Sequence, residues 1–419
     1  MEHTDHPKAQ WFGEAGLGMF IHWGISSVNA EGELSWSMMA RGGQATPVTG
    51  AYFDQAERFD PDAYDPDRWL AAASRAGMEY AVLTTKHHDG FALWPSEYGS
   101  FSTTEYCDGR DLVGPYVDAC RRHGIKVGFY FSLPDWHHPN WPADARDTYE
   151  GLQTFTDETD LSQSPEQVAE LEAYSQFVQG QLRELLTRYG DIDLLWFDTP
   201  DYFWKGVNED RIGALYDLAR TLQPQLVING RGGYTHWGDY RTPENELPTE
   251  TFDAWWELCQ TWGSSWGYQS DDEYRDMAWT LERIAQTVSR GGNLLLNVGP
   301  KADGTLPELV YDRLDALGEW MQTCGPAVKG VTAGPGESTC ELPITVGAST
   351  WYLHVLSDHE GEIEVSAVPE PRDVRMLRTG ARSEYAYHAD VLTITPPEER
   401  STPNEIIAIS WHGRDEPVV

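Results

Sequence analysis

The chain is predicted to fold as a parallel (β/α) barrel of the TIM type followed by a small antiparallel β-sandwich domain. Three observations carry that prediction. The run Asp191-Ile-Asp-Leu-Leu-Trp-Phe-Asp198 has strand length and is apolar at nearly every position, and a strand buried on both faces belongs in a parallel sheet covered by helices. Such runs alternate with helix-like segments through the first three quarters of the chain, the order that builds βαβ units. From about Val331 short alternating runs separated by Gly, Pro and Asp-rich turns take over, the signature of an antiparallel β domain. Residues 1–330 are therefore assigned to the barrel and 331–419 to the sandwich, with Pro335 and Gly336 near the boundary.

Taken in order, strands are expected over Gly16–Gly24, Glu79–Thr85, Lys126–Ser132, Asp193–Asp198, Gln225–Asn229 and Asn293–Val298. Helices are expected over Asp65–Ala76, Leu112–Gly124, Ser164–Tyr189, Glu209–Gln223, Met277–Arg290 and Leu306–Gln322. Asp65-Pro66 and Ser164-Pro165 each place a capping side chain before a proline, whose fixed φ and missing N–H suit the first helical turn. The late strands are Trp351–Leu356, Glu362–Ala367, Val374–Leu377, Val391–Ile394 and Glu405–Ser410. An open doubly wound sheet is the competing fold, but no Gly-x-Gly-x-x-Gly follows any early strand.

Composition narrows the function. The formal charge is −37, from 67 acidic and 30 basic residues, which argues against nucleic acid or an anionic membrane as partner. Six of the basic residues are lysine, Lys8, Lys86, Lys126, Lys205, Lys301 and Lys329, and the rest are arginine. Acid-rich, lysine-poor surfaces stay hydrated in concentrated salt, so a halophilic source is expected. The five cysteines are scattered without a CxxC, as in reduced cytoplasmic thiols rather than a disulfide frame or zinc site. The N-terminus lacks an apolar signal core and no run of 18 apolar residues follows, so a cytoplasmic protein is expected. Eighteen tryptophans tilt the reading towards sugars, whose C–H faces pack on flat aromatic rings.

In parallel barrels chemistry sits where strands end, and the expected strand ends collect polar and aromatic residues. They offer Phe20-Ile21-His22-Trp23-Gly24, Lys86-His87-His88-Asp89-Gly90, Tyr130-Phe131-Ser132, Trp196-Phe197-Asp198 and Asn229-Gly230-Arg231. His87 and His88 are adjacent, so both reach one point only beyond the end of their strand. No HExxH or comparable ligand spacing occurs, so neither metal nor cofactor is expected; neutral rings donating to sugar hydroxyls suit the histidines better. Most glycosidases need two carboxylates, one to attack or activate water and one to protonate the leaving oxygen. Asp198 is the natural nucleophile. Glu244, Glu246, Glu250 and Glu257 are all candidates for the acid, and spacing does not choose among them. The segment Gly291–Pro300 reads as a packed barrel strand without chemistry.

These motifs, with Asp135-Trp136-His137-His138-Pro139, Ser265-Trp266-Gly267-Tyr268 and Gly291–Pro300, occur in an order that resembles the α-L-fucosidases of glycoside hydrolase family 29. The resemblance runs from about Gln10 to Gly330. It implies an eight-stranded (β/α)8 barrel and retaining, exo-acting hydrolysis of terminal α-L-fucosyl residues from fucosylated oligosaccharides, by double displacement. Asp198 would be the nucleophile and Glu244 the acid/base, with Glu257 in reserve. His22, Trp36, His87, His88, Tyr130, Trp196 and Arg231 would hold the sugar or brace the nucleophile, and Trp266 would pack against its methyl group. The chain departs from the pattern at Ser35-Trp36, where many members carry Glu-Trp. A glycosidase for another sugar on the same scaffold, and a glycan-binding protein without turnover, are the rival functions. An oligomer is left open.

Overall fold

The computed structural model describes residues 3–32, 35, 49–140, 165–198, 209–231, 236–249, 252–397 and 400–411, the side chains at 49–50, 165–168 and 209–210 aside. Eight parallel strands form one sheet: β1 (Leu17–Ile21), β2 (Tyr80–Lys86), β3 (Lys126–Ser132), β4 (Leu194–Asp198), β5 (Val227–Gly230), β6 (Tyr240–Arg241), β7 (Glu257–Thr261) and β8 (Asn293–Val298). Their order is β6-β5-β4-β3-β2-β1-β8-β7. The two ends meet through parallel bridges, Arg241 to Trp256 and Glu244 to Cys259, which bring the sheet round into a barrel. Strands β6 and β7 were not expected from the sequence. The first is two residues long, and the second mixes Glu257 and Gln260 with apolar residues, which hides its period.

Helices α1 (Thr49–Phe53), α2 (Pro66–Arg75), α3 (Thr103–Tyr106), α4 (Val113–Arg122), α5 (Pro165–Arg188), α6 (Glu209–Leu222), α7 (Met277–Val288) and α8 (Glu308–Cys324) occupy the connections. The Asp65 side chain accepts from Arg68 N–H at 3.3 Å to cap α2, and Asp276 accepts from Trp279 N–H at 2.9 Å to cap α7. Each cap is worth about 1 kcal/mol. Helix α2 buries Trp69, Leu70, Ala72 and Ala73, one face at helical spacing.

The barrel interior is filled with side chains, among them Phe20, Tyr80, Tyr130, Trp196, Tyr240 and Leu295. The short helical turn Pro7–Glu14 closes the end from which the strands start, with Phe12 packed 4.4 Å from the Tyr240 ring centroid. Gly18 makes room inside: a Cβ there would lie 2.4 Å from Tyr80 Cζ.

Past α8 come β9 (Thr332–Ala333), β10 (Ile344–Val346), β11 (Thr350–Leu356), β12 (Ile363–Ser366), β13 (Asp373–Met376), β14 (Glu384–His388), β15 (Val391–Thr395) and β16 (Asn404–Ser410). They form sheets ordered β13-β16-β11-β10-β9 and β12-β15-β14. Leu353, Val355, Ile407 and Ile409 of one sheet share a core with Ile363, Val365, Leu392 and Ile394 of the other, which makes a sandwich. The sandwich is tied to the helical layer by Trp320 Nε1–H donating to Asn404 O at 2.9 Å and Thr345 Oγ1–H donating to Ala327 O at 2.8 Å.

Candidate active site

Most of the predicted site residues gather where the barrel strands end. Asp198 closes β4 and is buried. Its Oδ2 accepts from Tyr130 Oη at 2.8 Å and lies 3.5 Å from His88 Nε2, while its Oδ1 accepts from Arg231 Nε at 3.1 Å. Burial raises the cost of its charge. The Arg231 guanidinium and the Tyr130 hydrogen bond outweigh that cost and hold the carboxyl below its ordinary range. The same Arg231 donates from Nη1 to Thr242 O at 3.0 Å and from Nη2 to Glu244. One guanidinium thus holds two carboxylates.

The four candidate acids are separated by position. Glu244 follows β6 and stands half-exposed over Arg231. Glu246 is exposed, and Glu250 lies outside the described residues. Glu257, the reserve, is fully buried at the start of β7. Its Oε2 accepts from Tyr80 Oη at 2.6 Å and its Oε1 from Trp196 Nε1 at 2.9 Å. Burial pushes its carboxyl up to about 7, despite both hydrogen bonds. It belongs to the interior beneath the site, so the loop acid suggested by sequence is instead an internal anchor.

Strand β2 stops at Lys86, so His87 and His88 both lie past its end, with ring centroids 4.2 Å apart. Ser132 Oγ–H donates to Pro134 O at 2.7 Å and therefore accepts from His88 Nδ1 at 2.6 Å. His22 has a fixed tautomer too. Asn297 Nδ2 donates to Trp266 O at 2.7 Å, so its Oδ1 faces His22 Nδ1 at 2.7 Å and accepts from it. Burial lowers His22 and His88 to about 4 and His87 well below its ordinary value. All three rings are neutral at neutral pH. His87 stacks on Tyr130 with its ring plane 9° away, and its Nδ1 lies 2.9 Å from Ser35 Oγ.

Trp266 forms a wall beside these rings, 5.0 Å from His22 and 5.9 Å from Phe20 between centroids. Trp196, expected to hold the sugar or brace the nucleophile, is a buried floor beneath the site. It stacks under Tyr130 at 5.5 Å, lies 5.0 Å below the Arg231 guanidinium, and turns its N–H away to Glu257. Trp36 lies outside the described residues. A small cavity of about 10 Å³ lies beside the cluster and is lined by His22, Trp23, Thr84 and His87 among others. Among the described residues, no group of three or more His, Cys, Asp or Glu side chains is arranged to hold a metal ion.

Two supporting residues were given no role from the sequence. Asn297 lies in the segment read as having no chemistry, yet it orients His22 and ties it to Trp266. Ser132 sets the His88 tautomer. The only local signal for either was a polar residue in an otherwise apolar strand. The assembled site offers an ionised carboxylate, a second carboxylate on the same cation and neutral imidazoles. Such groups suit a neutral, hydroxyl-rich substrate.

Comparison with known proteins agrees. The α-L-fucosidase family profile matches residues 1–326. Tissue α-L-fucosidase of Bos taurus is 33% identical over 346 residues, covering 77% of this chain and 69% of its own. The solved structure of α-L-fucosidase isoenzyme 1 from Paenibacillus thiaminolyticus superposes with a TM-score of 0.81 at 32% identity, covering 97% of this chain and 99% of that one. A Bacteroides thetaiotaomicron family 29 α-L-fucosidase, solved as a trapped covalent intermediate with 2-fluoro-fucosyl fluoride, gives a TM-score of 0.82 at 26% identity, covering 98% and 97%. The chain is a glycoside hydrolase and belongs to the α-L-fucosidase family.

Proposed function

We propose that this enzyme releases terminal α-L-fucosyl residues from fucosylated glycans with retention of configuration, using Asp198 as nucleophile and Glu244 as acid/base. Asp198 attacks the anomeric carbon while Glu244 gives its proton to the departing glycosidic oxygen, leaving a covalent fucosyl-enzyme. Glu244 then takes a proton from water, which attacks the same carbon and frees Asp198. The observation that carries this reading is the shared guanidinium of Arg231, which draws both carboxylates to one place. Retaining enzymes need such closeness, about 5–5.5 Å between the two carboxyl groups. The trapped intermediate of the Bacteroides thetaiotaomicron relative supports the covalent step.

The neutral histidines supply donors and acceptors for ring hydroxyls, with tautomers fixed by Asn297 and Ser132. Trp266 supplies an apolar wall for the sugar's methyl group, worth roughly 1–3 kcal/mol of discrimination. Ser35 keeps the alternative of another sugar in play: its hydroxyl meets His87, so no carboxylate enters the site from that position. The five cysteines are free and buried, which favours a reducing compartment.

Hydrolysis of aryl α-L-fucoside, β-D-galactoside and α-L-rhamnoside, with Asp198→Ala as the blank, tests the reading. Cleavage of the fucoside alone, lost in the variant and giving the α-anomer first by NMR, is expected. Preference for another glycoside, or a β-anomer as first product, contradicts it.

A further inference from the structure

We infer that Asn245 is the positioning residue that aims Glu244 at the departing oxygen, acting through the chain conformation just after it; the inference rests on Glu244 being the acid/base. Glu244 is half-exposed, and its side chain is held from one side by Arg231. Its aim therefore depends on how its backbone is fixed. Asn245 has φ +58°, in the left-handed region where L-residues other than Asn, Asp and Gly are disfavoured by their Cβ. That conformation turns the chain so that side chains 244 and 245 leave in different directions.

The Asn245 side chain enters the end of β7. Its Oδ1 accepts from Thr261 N at 3.1 Å, Thr261 Oγ1 at 3.2 Å and Gln260 Nε2 at 3.0 Å. Its backbone N–H donates to Cys259 O at 2.9 Å, and Cys259 N–H donates to Pro243 O at 3.1 Å. Glu244 is thus clamped between two backbone hydrogen bonds to one residue of β7, and the amide locks the next residue in place. A loop acid pinned in this way keeps its orientation when substrate breaks its contact with Arg231. Gly accepts the backbone angle without the clamp, Ala supplies neither, and Asp is the one substitution that supplies both.

General acid catalysis matters most when the leaving group is poor, and contributes roughly 10²–10⁴-fold in total. The test measures kcat/KM for a series of aryl α-L-fucosides of increasing phenol pKa, and for a fucosyl disaccharide, with wild type, Asn245→Gly, Asn245→Ala, Asn245→Asp and Glu244→Gln. Asn245→Gly is expected to lose roughly 10–100-fold on the disaccharide, a part of the general-acid contribution, and little on the most acidic phenols. Asn245→Asp keeps the acceptor and the backbone preference and should restore most of the loss. Equal losses across all leaving groups in folded Asn245→Gly, or no loss, overturn the inference. If Glu244→Gln itself shows no dependence on the leaving group, the acid/base reading fails and takes the inference with it. If Glu244→Gln shows that dependence and Asn245→Gly does not, only the role of Asn245 is lost.

Discussion

Asp198 and Glu257 are both buried inside the same barrel, separated by the stacked rings of Tyr130 and Trp196, yet their carboxyls are shifted in opposite directions. Tyr130 hydrogen-bonds Asp198 and Trp196 hydrogen-bonds Glu257. Desolvation penalises both anions. At the open end of the barrel Arg231 outweighs it and Asp198 stays below the ordinary carboxylate range. At the closed end the donors to Glu257 are the neutral Tyr80 and Trp196, and its carboxyl rises to about 7. Burial is common to the two, so the partner's charge decides which carboxyl is ready to attack and which is part of the scaffold.

The largest effect should come from deleting the ionised member. Asp198→Ala is expected to lose on the order of 10⁴-fold in kcat, as nucleophile deletions do. Azide, a small anion able to enter the space, should restore turnover and yield fucosyl azide of inverted configuration. Failure of azide rescue in folded protein would count against Asp198 as nucleophile.

Next is the cation that makes the difference. Arg231→Met should cost roughly 10²–10³-fold, the scale of losing one preorganised charged donor. With burial left unopposed, the Asp198 carboxyl should rise, so the acidic limb of kcat/KM should move to higher pH. An unmoved limb would mean that Arg231 does not control its ionisation.

Glu257→Gln keeps the shape and removes the titration. The folded carboxyl lies near 7 against an ordinary 4.5, so the folded state binds the extra proton. Its contribution to stability is full below about 4.5 and is lost as pH rises through 7, by about 3 kcal/mol for such a shift. Urea midpoints at pH 5 and 8 should therefore fall less with pH in the variant than in wild type. Activity should change by less than tenfold, since the group lies under the floor and away from the reacting atoms; roughly 1–2 kcal/mol of hydrogen bonding is at stake. Equal pH dependence in the two proteins would show that Glu257 is ionised throughout.

Salt should produce the smallest effect on chemistry. The acid-rich surface is proposed to be a halophilic adaptation, so molar KCl should raise the melting temperature by screening surface repulsion. The buried pair is screened much less, so the acidic limb should stay in place. A protein equally stable at low salt would remove the halophilic reading.

The same contrast marks what the sequence could reveal. Asp198 was legible because an apolar strand ending in a carboxylate has few other uses, and the barrel was legible because its long helices and strands carry clear periods. Glu257 was misread because its partners Tyr80 and Trp196 lie 177 and 61 residues away in the chain, and nothing local distinguishes a buried anchor from a loop acid. Strand β6 escaped because two residues carry no period. Strand β14 escaped because Glu384–His388 is largely exposed and so lacks the alternation that marks a half-buried strand. Asn297 looked like a packing residue until β8 was seen to run beside β1, within reach of His22.

The most direct measurement is covalent trapping. The enzyme is incubated with 2-fluoro-fucosyl fluoride, digested with protease and sequenced by mass spectrometry. A single fluorofucosyl ester on Asp198, absent from Asp198→Ala, is the predicted result. A label on Glu244 or another carboxylate, or inactivation without any ester, would contradict the assignment of Asp198 as the nucleophile.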